Sequence, residues 1–280
     1  MRDYTELQAR IITAFISALL ALPCLFILPN EFFYAFISLV FGICAWEWAN
    51  LAGLSSFRSV LYGVSLAGLI VVFMLLRIPS FWIISAGLVW WTFALYSIIV
   101  YPKLGSFWSR SLPVLFVGII VLVPSFFSFV ALKNHQNSNA LIFILLVFVW
   151  GSDIGAFFIG KAMGGAKLCA HVSPAKTWSG FLGGAVIVAV SSVLIFRMFD
   201  EILSWGGSVY FFLLLALFLA GISALGDLTV SMFKRARRIK DTGRLLPGHG
   251  GFLDRLDSLL STSSVFGMVV TLDHFYVSAV

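Results

Sequence analysis

The chain has 280 residues, of which 61% are hydrophobic and 11% are charged, and its mean hydropathy is +1.05. Too few polar side chains remain to coat a water-soluble globule, so the composition excludes soluble, disordered, collagen-like and disulfide-rich classes and predicts an integral membrane protein. The net charge is +6, and the positions of the charges decide whether it marks a binding surface.

Apolar runs separated by polar segments recur along the whole chain. A transmembrane helix needs about 20 apolar residues, and eight runs approach or meet this length: 11–28, 32–49, 60–76, 81–100, 112–132, 141–159, 181–198 and 209–225. A ninth run, 259–277, contains consecutive hydroxyl residues from Ser261 to Ser264, so we expect one of its sides to face protein rather than lipid. The sequence therefore predicts an all-α, polytopic membrane protein with about nine transmembrane helices.

The basic residues are distributed unevenly between the two sides that alternating spans define. Fifteen of the 18 Lys and Arg fall on the side of the N-terminus, and only Arg77, Lys133 and Arg197 fall on the other. The positive-inside rule places the richer side in the cytoplasm, so we expect a cytoplasmic N-terminus. Most of the net charge is thus explained by topology. Because no soluble basic domain is present, we expect no nucleic-acid partner.

The polar residues divide the chain into two regions. Residues 1–110 have short connections, and we interpret them as a helical scaffold that could include a dimer surface. One acid in this region, Glu47, lies near the cytoplasmic end of the second span, where we expect an interfacial side chain that reaches for water. Residues 111–280 form the predicted catalytic region, with cytoplasmic loops at 160–180 and 226–258.

The loop after the sixth span carries the first candidate site residues. Asp153 lies near the end of that span, and Ser173-Pro174 has the pattern of an N-cap and first residue of a helix. Lys176 and Thr177 would then lie in the first helical turn, where free backbone N–H groups bind anions. A lysine there opposes the helix dipole, and an anionic ligand would resolve the conflict.

A polar helical face follows the eighth span. Ser223, Asp227, Ser231 and Lys234 fall on one side at helical spacing. Such a face is compatible with a helix end that meets water. An acid between two hydroxyls at the membrane boundary also suits a hard cation such as Mg²⁺. Taken alone, the pattern leaves both interpretations of Asp227 open.

Basic residues and glycines occupy the next segment. Cations recur between 234 and 240, and three glycines surround His249 between 248 and 251. A polybasic segment can simply bind anionic lipid, but glycine also lets a backbone approach a phosphate closely. The basic segment and the glycine turn together predict a polyphosphate site.

Two acids open the last span. Asp254 and Asp257 lie three residues apart and share a helical face with Ser258 and Ser261. Carboxylates at the start of a membrane helix are costly to bury unless a positive charge lies between them. Arg255 could pair with one of them, whereas a metal ion with a phosphate ligand would satisfy both, and we favour the metal. Oxygen-only ligands favour Mg²⁺ over zinc.

The order and spacing of these motifs resemble those of a known family. The match is to the signature of the phosphatidate cytidylyltransferases, also called CDP-diacylglycerol synthases, and it covers Ser231, Lys234-Arg235, Lys240-Asp241, Pro247-x-His249-Gly250-Gly251 and Asp254-Arg255-x-Asp257. Similarity continues upstream through Asp227, the Ser173-Pro174-x-Lys176-Thr177 element and Asp153, and more faintly to Trp46-Glu47-Trp48. The chain departs from the family at Ser179, where many members have an acid, and at Lys161, where they have an arginine.

The resemblance implies that CTP and phosphatidate react to give CDP-diacylglycerol and pyrophosphate. It implies Mg²⁺, leaves open a monovalent cation such as K⁺, and implies a homodimer in a bacterial inner membrane with its active site facing the cytoplasm. The implied catalytic residues are Asp227, Asp254, Lys234, Asp257 and His249, with Asp227 and Asp254 as metal ligands. The implied substrate-binding residues are Ser173, Lys176, Thr177, Ser223, Ser231, Arg235, Lys240, Asp241, Gly250, Gly251, Arg255 and Asp153. His249 could donate to the leaving pyrophosphate or could be a structural turn residue.

Two other functions stay open at this point. A related CTP-using lipid kinase would transfer the γ-phosphoryl group and release CDP, and the length of the signature favours cytidylyl transfer over this reaction. A transporter or anion carrier would use polar residues within the spans. Here the ionisable residues cluster on one side of the membrane instead of crossing it, which favours an enzyme.

Overall fold

The computed structural model describes residues 2–199, 208–246, 248 and 250–279. In chain order the elements are α1 (Arg2–Phe26), α2 (Asn30–Leu51), α3 (Ser56–Leu75), α4 (Ser80–Val100), α5 (Gly105–Trp108), α6 (Ser111–Asn134), α7 (Ser138–Met163), β1 (Lys167–Cys169), β2 (Ser173–Thr177), α8 (Trp178–Met198), α9 (Val209–Ala236) and α10 (Leu253–Ala279). These elements confirm the predicted helical class. Helices suit a bilayer because they pair the backbone polar groups internally, where lipid offers them no partners.

Seven helices in the described part of the chain are long and apolar enough to cross a membrane: α2, α3, α4, α6, α7, α8 and α9. The protein is therefore an integral membrane protein. Helix α1 contributes a shorter apolar segment, Phe15–Phe26, and α10 is not among the seven. The expected count of nine transmembrane helices and the cytoplasmic N-terminus stay predictions.

Helix α10 packs against five other helices, α9, α6, α4, α7 and α2. Its hydroxyl residues from Ser261 to Ser264 are completely buried, which confirms the expectation that this helix faces protein. They can be buried because their hydroxyls donate hydrogen bonds to helix carbonyls. A hydroxyl of a neighbouring helix also bonds to α10, since Ser125 of α6 donates to the Leu260 carbonyl over 2.7 Å. Small residues let α9 approach, since a Cβ on Gly226 would lie 2.2 Å from the Ser261 hydroxyl.

The segment between α7 and α8 differs from our expectation. Ser173 and Pro174 do not start a helix but belong to β2, which pairs antiparallel with β1, Cys169 lying opposite Ser173. Helix α8 starts at Trp178, and Thr177 caps it by accepting a hydrogen bond of 3.1 Å from the Gly180 N–H. Both Ser173 and Thr177 are good N-cap residues, and the strand pairing selects the second. The prediction that Lys176 and Thr177 occupy the first helical turn is therefore wrong, and the otherwise all-α fold contains this small hairpin.

Helices occupy part of the two segments that we expected to be cytoplasmic loops. Over 160–180, α7 continues to Met163 and the hairpin fills most of the remainder. Over 226–258, α9 continues to Ala236 and α10 begins at Leu253. Asp227 and Lys234 therefore lie on α9 and Asp254 lies on α10, as their helical spacing predicted, and the helical frame fixes their positions.

An aromatic cluster holds the end of α9 against the N-terminal half. The Phe233 ring lies 5.7 Å from Trp48, 6.4 Å from Trp90 and 5.4 Å from Trp108, measured between ring centroids. Aromatic contacts of this kind stabilise by burial and by edge-to-face or stacked geometry. The cluster therefore anchors the last turns of α9, which carry Lys234.

Candidate active site

The predicted site residues from distant parts of the sequence meet at one end of the helix bundle. The C-terminal parts of α2, α7 and α9 lie there with β2 and the N-terminal end of α10, as side-chain interactions between them show. The structure thus brings the motif elements together into one cluster.

The carboxylate of Asp227 joins the hairpin to α9. Its Oδ2 atom lies 2.6 Å from the Lys176 ammonium, and its Oδ1 atom accepts a hydrogen bond of 3.1 Å from the Ser231 hydroxyl. The side chains of Lys176 and Asp227 are 27% and 29% exposed. This ion pair is consequently accessible to a ligand that competes for either partner.

The carboxylate of Asp254 is more deeply held. Its Oδ1 atom lies 2.7 Å from the Lys234 ammonium, and the two side chains are only 3% and 11% exposed. Its Oδ2 atom accepts from the Thr242 N–H over 2.9 Å, the Thr242 hydroxyl over 3.1 Å and the Gly251 N–H over 3.0 Å. Asp254 therefore organises the loop that connects α9 and α10.

Glu47 is a member of the cluster whose surroundings sequence reasoning missed. Our interpretation of it as an interfacial side chain reaching for water is wrong, because its side chain is completely buried. Its Oε1 atom accepts from the Phe252 N–H over 3.0 Å, and its Oε2 atom accepts from the Leu253 N–H over 2.7 Å and from the Thr242 hydroxyl over 3.2 Å. The only signal in the sequence was the faint family similarity of Trp46-Glu47-Trp48.

Asp257 lies deeper along the face of α10. It is 7% exposed, its Oδ1 atom accepts from the Ser258 N–H over 2.8 Å, and it interacts electrostatically with Asp227 and Lys234. Ser261 donates to the Ile222 carbonyl over 2.8 Å. Ser223 is completely buried, and its hydroxyl has no hydrogen-bond partner among the described residues.

Asp153 extends the cluster onto α7. It interacts electrostatically with Lys176, Asp227 and Arg255. The acidic side chains of Asp153, Asp227, Asp254 and Asp257 thus lie close to the three cations Lys176, Lys234 and Arg255.

The remaining predicted residues have different surroundings. Arg235 donates from Nε to the Val172 carbonyl over 3.1 Å, which ties the hairpin to α9. Lys240 and Asp241 are exposed. Gly250 has a φ of +83°, a conformation that glycine adopts without strain. His249, which we predicted as catalytic, lies outside the described residues.

The donor atoms fit a magnesium ion that substrate phosphates help to hold. Both Asp227 oxygens and Asp254 Oδ1 each accept one hydrogen bond within the described structure, so a lone pair remains on each, whereas Asp254 Oδ2 accepts three. No group of three or more His, Cys, Asp or Glu residues in the described ranges could hold a metal ion. Mg²⁺ requires no such group, since it commonly binds through one or two carboxylates together with water and substrate phosphates.

Comparison with known proteins gives a consistent result. Residues 8–273 match the model of the cytidylyltransferase family. The chain is 40% identical over 265 residues to the phosphatidate cytidylyltransferase of Pseudomonas aeruginosa, covering 94% of this chain and 97% of that protein. It is 32% identical over 281 residues to the enzyme of the same name from Haemophilus influenzae, covering 93% and 97%. The match spans nearly all of the helices and the whole ionic cluster, and the chain therefore belongs to the cytidylyltransferase family.

Proposed function

We propose that this protein is a phosphatidate cytidylyltransferase, which transfers the cytidylyl group of CTP to phosphatidate in phospholipid biosynthesis. The observation that carries the proposal is the match, along nearly their whole length, to relatives named for this reaction. The two lysine–aspartate contacts, Lys176–Asp227 and Lys234–Asp254, are consistent with a site that binds phosphates.

The chemistry needs charge neutralisation more than a general base. A phosphate oxygen of phosphatidate is already anionic near neutral pH. It attacks the α-phosphorus of CTP, and the bond from that phosphorus to the oxygen bridging the α- and β-phosphates breaks, which releases pyrophosphate. The obstacle is the approach of two anions. Lys176 and Lys234 are placed to bind phosphate oxygens and to stabilise the charge that develops in the transition state.

Asp227 and Asp254 hold Mg²⁺ in this proposal, with Asp257 beside them. The ion supplies positive charge to the phosphate oxygens when it is bound. The remaining lone pairs on the two Asp227 oxygens and on Asp254 Oδ1 support this assignment. Lys240, Arg235 and the glycine turn are further phosphate-binding groups, although the Gly251 N–H already donates to Asp254.

The active site faces the cytoplasm of a bacterial inner membrane, and the protein is a homodimer. The orientation is supported by the positive-inside distribution, because the site residues belong to the side that holds 15 of the 18 Lys and Arg. CTP is a cytoplasmic nucleotide, and phosphatidate lies in the bilayer, so a site at the end of the bundle reaches both.

Position-specific labelling tests the reaction. Detergent-purified protein is incubated with phosphatidate, Mg²⁺ and CTP labelled separately at the α- and γ-phosphates. We expect the α-label in the lipid and the γ-label in pyrophosphate. A γ-label in the lipid would establish a kinase, and no labelled lipid alongside an active control enzyme would favour the transport function.

A further inference from the structure

The N-terminal half of the chain contributes a carboxylate to the loop that presents Asp254. Glu47 lies near the end of α2, about 200 residues before its partners in sequence, with separations of 195, 205 and 206. It forms no ion pair within the described part of the chain. A fully buried carboxylate without a cation is costly, so the hydrogen bonds that it accepts must compensate for its loss of water.

Those hydrogen bonds place Glu47 at the start of α10. The N–H groups of Phe252 and Leu253 are among the first of this helix and have no acceptor within it. Glu47 caps the helix in place of a local side chain, and the positive end of the helix dipole stabilises its charge. The cap therefore comes from a different helix, and it fixes the first turn of α10 relative to α2.

Two glycines beside Glu47 leave room for its carboxylate. A Cβ added to Gly243 would lie 2.3 Å from Glu47 Oε1, and one added to Gly251 would lie 2.7 Å from Glu47 Oε2. Both contacts are shorter than real Cβ atoms tolerate. Glycine at these two positions is thus explained by the close approach of Glu47 and, at Gly251, also of the Thr242 hydroxyl, in addition to any approach of phosphate.

The Thr242 hydroxyl connects Glu47 to the active site. It lies 3.2 Å from Glu47 Oε2 and 3.1 Å from Asp254 Oδ2, and Thr242 is 4% exposed. A hydroxyl has one proton, so it donates to only one of the two carboxylates at a time, and the choice between them couples Glu47 to Asp254. A displacement of Glu47 would therefore move Asp254 by two routes, through Thr242 and through the start of α10.

We propose that Glu47 is a positioning residue for cytidylyl transfer. It caps α10 from the scaffold region and, through Thr242, sets the direction in which Asp254 presents Oδ1 to Lys234 and to substrate. The inference rests on the proposed function, and it makes α2 part of the active-site machinery.

Glu47→Gln is the sharpest substitution, because no orientation of the amide satisfies the site. Both carboxylate oxygens accept backbone N–H groups, so the amide NH₂ must face a donor whichever way it is turned. We expect the kcat for CDP-diacylglycerol formation to fall by about 10- to 100-fold, the size of effect that a small misplacement of reacting groups can produce. We expect the KM for CTP to change much less, because Lys176 and Asp227 do not touch Glu47.

Thr242 provides an independent pair of variants if Glu47→Gln does not fold. Thr242→Val keeps the shape and removes the hydroxyl, whereas Thr242→Ser keeps the hydroxyl. We expect Thr242→Val to lower kcat by about 10-fold, consistent with loss of a positioning contact, and Thr242→Ser to recover most of that loss. Equal kcat values for the two Thr242 variants would overturn the proposal.

Matched controls separate positioning from general destabilisation. Glu31→Gln removes an exposed acid from the first turn of the same helix. Thr229→Val removes a buried hydroxyl that bonds to the Leu225 carbonyl of its own helix. All variants are compared at equal folded concentration, judged by thermal unfolding in detergent. A kcat for Glu47→Gln within the range of these controls would also overturn the proposal, whereas absence of CDP-diacylglycerol formation by the wild-type protein would instead refute the proposed function.

Discussion

The two lysine–aspartate pairs of the cluster have the same chemistry and different surroundings. Lys234–Asp254 is almost completely buried, and its carboxylate receives three further hydrogen bonds from the connecting loop. Lys176–Asp227 is more than a quarter exposed and has one additional partner, Ser231. The difference indicates that the first pair also holds the connecting loop in place, while the second is the more accessible of the two to substrate.

Asp254→Asn should have the largest effect, because it alters the buried pair. The amide would place a donor against Lys234 or against two N–H groups, and breaking a buried ion pair typically costs about 3–5 kcal/mol. We expect loss of turnover by at least about 10²-fold together with a lower midpoint of thermal unfolding. Labelled-lipid formation and unfolding in detergent measure the two quantities. Near-normal activity in the purified variant would remove Asp254 from the site.

Asp227→Asn should separate activity from stability. The pair with Lys176 is partly exposed, and such pairs contribute little to stability. We expect a loss of turnover of about 10²-fold, as for other groups that stabilise transition-state charge, with an unfolding midpoint close to that of the wild type. A titration of Mg²⁺ against activity provides a second readout. If the variant retained wild-type turnover, the assignment of Asp227 as a metal ligand would be wrong.

Lys176→Ala should act mainly on substrate binding. Its ammonium is accessible and lies where a phosphate could replace Asp227 as its partner. We expect a raised KM for CTP or for phosphatidate, or a kcat lower by about 10-fold. A change of this size corresponds to the loss of one charge-assisted hydrogen bond. Steady-state kinetics with each substrate varied in turn will show which phosphate it binds. Unchanged kinetics would exclude Lys176 from the site.

Thr177→Ala should have the smallest effect of the four, and its main effect should be on stability. The Thr177 side chain caps α8 through the Gly180 N–H, and removal of such a cap costs about 1 kcal/mol. Thr177→Ser should restore the cap. Unfolding midpoints of both variants in the same detergent test this role. Equal stability of the Ala variant and the wild type would show that the cap contributes nothing.

The hairpin shows where local sequence patterns mislead. Ser173-Pro174 and Thr177 both have residue types that precede helices, and only the pairing of β2 with β1 selects between them. The polar face of α9 was easier to predict, because helical periodicity alone brings Ser231 next to Asp227. Burial of the hydroxyl residues of α10 could also be inferred, because four consecutive hydroxyl residues make this stretch less apolar than the other spans.

By itself, the sequence determined the membrane class, the positions of the main spans and the motif that identifies the family. Each of these depends on composition or on spacing within a short stretch of chain. The tertiary structure alone decided that Glu47 is buried, that it caps α10, and that Asp254 and Asp227 have unequal exposure. These properties depend on contacts between residues about 200 positions apart, or on which side of the cluster meets solvent, and neither leaves a periodic pattern in the sequence.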